Sequence, residues 1–92
     1  MDVYARLVEK IIQEQEKIIG PVALEQARKV PGLTVDLQKH DIQFQGKEMD
    51  ILEKLVEQYR ILFGQASVEM CKDAVRGISS GMKPDALPAS LK

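Results

Sequence analysis

The sequence predicts a mainly α fold of four helices, arranged as two tandem repeated helical hairpins with pseudo-two-fold symmetry and joined by a short extended segment or β-hairpin. Three observations predict it. Residues Leu7 to Val30 align without a gap on Ile51 to Ala74, apolar residues recur at helical spacing inside each copy, and a glycine interrupts both copies at the same place. Two amphipathic helices always align once their apolar stripes are in phase, so the identities carry the weight. Glu9, Lys10, Gly20 and Glu25 recur as Glu53, Lys54, Gly64 and Glu69, while Ile11, Ile12, Ile18, Ile19 and Leu24 become Leu55, Val56, Leu62, Phe63 and Val68.

The first helix is read from Val3 to Ile19. Tyr4, Leu7, Val8, Ile11, Ile12, Ile18 and Ile19 form its apolar stripe, and Asp2 stands where an N-cap is needed. Gly20 and Pro21 form an elbow: a glycine can take the left-handed backbone that ends a helix, and a proline has the φ suited to the start of the next. A short second helix runs to about Val30, where Val-Pro-Gly stops it.

After Gly46 the pattern resumes. Glu48 and Asp50 stand near the positive end of a third helix, whose stripe is Ile51, Leu52, Leu55, Val56, Tyr59, Leu62 and Phe63. Gly64 is the second break, Gln65 to Arg76 form the fourth helix, and Gly77 ends it. Between the copies, Leu33, Val35 and Leu37 alternate with polar residues, as do Ile42 and Phe44, around a polar centre of Gln38 to Asp41. That alternation suits two short strands, with an irregular loop pinned by its apolar residues as the other reading. The expected organisation is therefore one helical domain over 1–78, with repeat units 3–30 and 47–77 and a connector 31–46. A flexible C-terminal tail is expected over 79–92, where Pro84 and Pro88 interrupt any longer pattern.

Gln15 and its repeat partner Tyr59 fall near the middle of the two apolar faces. A buried polar group needs a partner. If a pseudo-two-fold axis relates the copies, the Gln15 amide can reach the Tyr59 hydroxyl; otherwise each side chain finds backbone or solvent separately.

Composition bounds the function. The chain has 92 residues, a formal net charge of −1 and interspersed acid and base, so no polyanion partner is advertised. Cys71 is the single cysteine, which excludes an intrachain disulfide. With neither a leader-like N-terminus nor a bilayer-length apolar run, the expectation is a cytoplasmic protein without a membrane role. His40 and Cys71 are the strongest metal or nucleophile candidates, yet one falls in a predicted loop and the other on an inward helical position, so no metal or cofactor site is expected. Calcium loops need alternating oxygen ligands and a glycine at the sixth position, which neither elbow nor the connector supplies. Nucleophile elbows, phosphate loops and dinucleotide fingerprints are absent, and the repeated Glu25 and Glu69 suit helix electrostatics better than acid-base catalysis. No enzymatic activity is expected.

The third helix carries more apolar surface than one neighbour needs, at Ile51, Leu55, Leu62 and Ile61. A second copy is the simplest cover for a small domain. The expected function is thus a protein-protein interaction or regulatory module, homodimeric and serving an unidentified protein partner. A DNA-binding transcriptional regulator is the alternative, weakened by the lack of a basic stripe, and a pocket for a small apolar ligand comes third.

Overall fold

A computed structural model describes residues 2–92. Four α-helices and a two-stranded antiparallel sheet follow in the order α1 (Val3–Ile19), α2 (Val22–Ala27), β1 (Leu33–Asp36), β2 (Asp41–Phe44), α3 (Glu48–Phe63) and α4 (Gln65–Ser79). Two single-turn 3₁₀ helices, Pro84–Ala86 and Ala89–Leu91, complete the described chain. The fold is mainly helical, as expected.

Helix α1 starts where Asp2 caps it, with the Ala5 amide donating to Asp2 Oδ1 at 2.9 Å. The middle of its stripe is driven inward, Leu7, Val8, Ile11 and Ile12 being completely buried, while Ile18 near its end stays exposed. Helix α1 lies chiefly against α4, and α3 also packs on α4, while the short α2 bridges α1 and α3.

Helix α2 ends at Ala27, three residues before the expected stop, and residues 28–30 continue as turns. The following Pro31 explains this, because its ring disfavours helical backbone at Val30. Gly32 then adopts φ +82, in a place where a Cβ would come within 2.6 Å of the Gln45 carbonyl oxygen. That approach lets the Gln45 amide donate to Gly32 O at 2.7 Å, closing the base of the connector. Helix α4 meets no proline and runs through Gly77 to Ser79, so the expectation that Gly77 terminates it is corrected.

The connector is a hairpin. Leu33 pairs with Phe44 and Val35 with Ile42, which turns Leu33, Val35 and Ile42 onto the core while Thr34 and Gln43 face solvent. His40 takes a positive φ of 52° in the turn, and its Nδ1 lies 2.8 Å from Glu9 Oε2 on α1.

Residues 79–92, expected to form a flexible tail, instead fold back on the helices. Leu87 and Leu91 are buried, the Tyr4 hydroxyl donates to Ala86 O at 2.7 Å, and Ser90 Oγ donates to Glu53 Oε2 at 2.8 Å. Their prolines end α-helical structure without preventing docking. Burial of two leucines supplies the driving force.

Candidate interaction surface

The two elbows are the local features from which the surface is built. Gly20 has φ +70 and ψ −150, and Gly64 has φ +85 and ψ −177. Both positions lie in the extended positive-φ region that is essentially reserved for glycine, rather than in the left-handed helical well. Each ends its helix in the same way, the Gly20 amide donating to Glu16 O at 3.0 Å and the Gly64 amide to Arg60 O at 2.8 Å. Each carbonyl then accepts from the first turn of the next helix, at Ala23 and Ser67, both at 3.1 Å. Pro21 directly precedes α2, with φ −59.

Gln15 and Tyr59 are both buried, but they do not bond each other as the pseudo-two-fold reading suggested. Gln15 Nε2 donates to Ser67 O at 3.0 Å and to Cys71 Sγ at 3.4 Å, and the Tyr59 hydroxyl donates to Ala23 O at 2.7 Å. Main-chain carbonyls in the first turns of α4 and α2 therefore satisfy both side chains. Ala23 and Ser67 stand at the offset that carries Gln15 onto Tyr59. Ser67 Oγ is buried without a hydrogen-bond partner among the described residues.

These bonds place the C-terminal turns of α1 and α3 beside the N-terminal turns of α2 and α4, so both elbows gather at one end of the molecule. Among the described residues the large apolar side chains left exposed are Ile18, Val22, Ile61, Leu62 and Phe63, all within four residues of an elbow glycine. Neither 18–24 nor 61–68 contains an Asp, Glu, Lys or Arg. Those charge-free runs are the sequence signal that could have revealed the surface. The nearest cations are already paired within their helices, Lys17 with Glu14 at 3.1 Å and Arg60 with Glu57.

The expected interface divides in two. Ile61 and Leu62 are exposed, 66% and 48% respectively, but Ile51 and Leu55 belong to the core. Ile51 lies beneath the base of the hairpin, its Cδ1 3.1 Å from where a Cβ on Gly32 would stand. Leu55 is completely buried. The wide apolar arc of α3 is thus covered along most of its length within one chain, by the connector, the docked C-terminal residues and the neighbouring helices.

The chemistry-bearing residues are placed as follows. Burial pushes the Cys71 thiol up to about 11, the Gln15 amide opposing that rise, and burial likewise holds the Tyr59 phenol far above its usual range. A thiol so placed is protonated at neutral pH. No group of three or more His, Cys, Asp or Glu residues forms a metal-ligating cluster among the described residues.

Two of the surface grooves among the described residues have related linings. One of about 420 Å³ is lined by Lys10, Glu14, Met70, Asp73 and Ala74. The other, of about 210 Å³, is lined by Lys29, Val30, Pro31, Lys54, Glu57, Gln58 and Ile61. The repeat offset carries Lys10 onto Lys54 and Glu14 onto Gln58, and it relates Lys29 and Val30 to Asp73 and Ala74.

Compared with known family models, curated proteins and solved structures, the chain matches none. No helix among the described residues is long and apolar enough to cross a membrane.

Proposed function

We propose that this chain is a small cytoplasmic protein-protein interaction or regulatory module, homodimeric and without catalytic activity of its own, built by duplication of a helix-elbow-helix unit. The observation that carries the functional reading is the exposed apolar group Ile18, Val22, Ile61, Leu62 and Phe63 at the charge-free elbow end. Large apolar side chains gathered in one place mark a surface that another molecule covers.

Four pairs of observations support duplication with pseudo-two-fold symmetry. The elbow glycines share an unusual backbone conformation, and the Gln15–Ser67 bond mirrors the Tyr59–Ala23 bond at the repeat offset. The two grooves also have corresponding linings. The recurring glutamate serves matching ends, since Glu9 holds the hairpin turn through His40 and Glu53 holds the C-terminal segment through Ser90.

The DNA-binding alternative is weakened by the charge balance: 14 acidic residues are interspersed with 13 Lys and Arg, and Lys10, Lys17, Arg60, Lys72 and Arg76 each face a carboxylate on their own helix. Sedimentation of the purified chain across a micromolar concentration series tests the proposal. A mass that rises from one copy to two is expected, and a single-copy mass throughout would remove the homodimer from the reading.

A further inference from the structure

We infer that the occupant of the elbow end is the elbow end of a second copy, the two molecules meeting tip to tip about a two-fold axis. The inference rests on the interaction reading above and names the surface and the partner that it leaves open.

The first argument is the constitution of the surface. Ile18 and Leu62 stand at corresponding positions of the repeat, as do Ile19 and Phe63, and Val22 and Ala66. Ile18 is 56% exposed and Leu62 48%, so the correspondence extends to what each copy shows to solvent. An isologous contact requires that one patch be complementary to itself. The like halves are Ile18, Ile19 and Val22 against Leu62, Phe63 and Ala66, while Ile61 corresponds to Lys17 and borders the groove beside Lys54; an apolar patch repeated in this way can meet its own copy about a two-fold axis.

The second argument is electrostatic. Covering 18–24 and 61–68 strands no ionised group, because those runs contain none, and the adjoining Lys17 and Arg60 keep their own carboxylate partners. Buried charge without a partner would oppose association, and the depletion of charge found in interface cores is present here at the level of sequence. The same neutralised cations give an acidic lipid headgroup little to bind, which favours a neutral apolar partner over a membrane surface.

The third argument is area. The exposed apolar side chains at this end amount to roughly 400 Å² per molecule, within the range of functional patches. Two such faces supply roughly 800 Å² of apolar surface, and a rim that includes Pro21 and Gln65 brings the total towards the ~1,200 Å² at the lower end of stable interfaces.

The test compares sedimentation of the unmodified chain with that of Ile18→Glu and Leu62→Glu, each checked for cooperative thermal unfolding. Both positions are half-exposed, so folding is retained while dimerisation weakens at least tenfold. A parallel measurement guards against variants that fail to fold. Under mild oxidation Gln65→Cys, at the exposed elbow, forms a disulfide-linked pair, whereas Lys39→Cys in the hairpin turn does not. Dimers that persist in both folded glutamate variants, or cross-link through Lys39→Cys and not Gln65→Cys, overturn this surface while leaving self-association standing. An unmodified chain that stays monomeric to about 100 µM, far above an ordinary dimer constant, overturns the inference and the homodimer together.

Discussion

The Tyr59 hydroxyl and the Ala23 carbonyl oxygen lie 2.7 Å apart in the buried interior, joining α3 to the first turn of α2. Gln15 makes the corresponding join from α1 to α4 through Ser67 O. Each bond fixes how an elbow sits against the helix beside it. Tyr59→Phe keeps the ring and deletes the donor, so it should lower stability by about 1 kcal/mol. Gln15→Met should also destabilise the fold, because the Ser67 carbonyl loses a buried donor while the volume stays similar. Denaturant titration of the two variants and of the double variant measures both costs. Effects near zero would show that the carbonyls are satisfied without these side chains.

Gly20 and Gly64 lie in a backbone region costly for L-residues, yet a Cβ added at either would meet nothing within 4 Å. The cost of substitution is therefore conformational and not steric. Alanine at either position should lower stability by about 1–3 kcal/mol. D-Alanine introduced by chemical ligation should restore or exceed the parent stability, because inverting both torsions gives an ordinary extended conformation. Equal losses with both enantiomers would point to a packing role for these positions.

Glu48 carries a buried Oε2 without a hydrogen-bond partner among the described residues, and desolvation, then neighbouring Asp2, raises its carboxyl above the ordinary carboxylate range. A raised carboxylate favours the folded state while protonated, so this contribution is complete below the unfolded pKa and lost as pH rises through the folded one. Glu48→Gln should consequently stabilise the chain at pH 7 relative to the parent, with the gain shrinking as pH falls through the raised folded pKa and gone once pH is below the unfolded one. Thermal melts from pH 3 to 7 check the sign. A gain that is the same at every pH would exclude Glu48 titration as its source.

Cys71 is buried and its thiol is pushed up to about 11, so alkylation at pH 8 should be slow in the folded protein and fast in denaturant. The rate should follow the unfolded fraction as denaturant is added. Rapid native-state labelling would show that α1 and α4 separate readily around Gln15.

Leu91 packs against the helices at the end of the chain and is 5% exposed. Leu91→Ala should cost about 2 kcal/mol if the C-terminal segment stays docked in solution. Ser90→Ala should cost less, since Glu53 also accepts from the Ser90 amide at 3.3 Å. A melting temperature unchanged by Leu91→Ala would mean that the segment adds nothing to the core.

By itself the sequence determined the features that local physics controls. The helical period of Leu7, Val8, Ile11 and Ile12, the cap at Asp2, the alternation of Leu33, Val35 and Ile42, and the glycine at each elbow all depend on near neighbours, and all were legible. Only the tertiary structure decided which apolar residues stay wet. Ile51, Leu55 and Leu62 share one edge of α3, yet Ile51 and Leu55 are buried and Leu62 is half-exposed. That division depends on where the hairpin and C-terminal residues come to rest, and helical periodicity contains no information about such distant cover. The partners of Gln15 and Tyr59 were hidden for the same reason. An amphipathic wheel shows that a polar group faces inward, but the carbonyl that satisfies it is set by the packing of helices far apart in the chain.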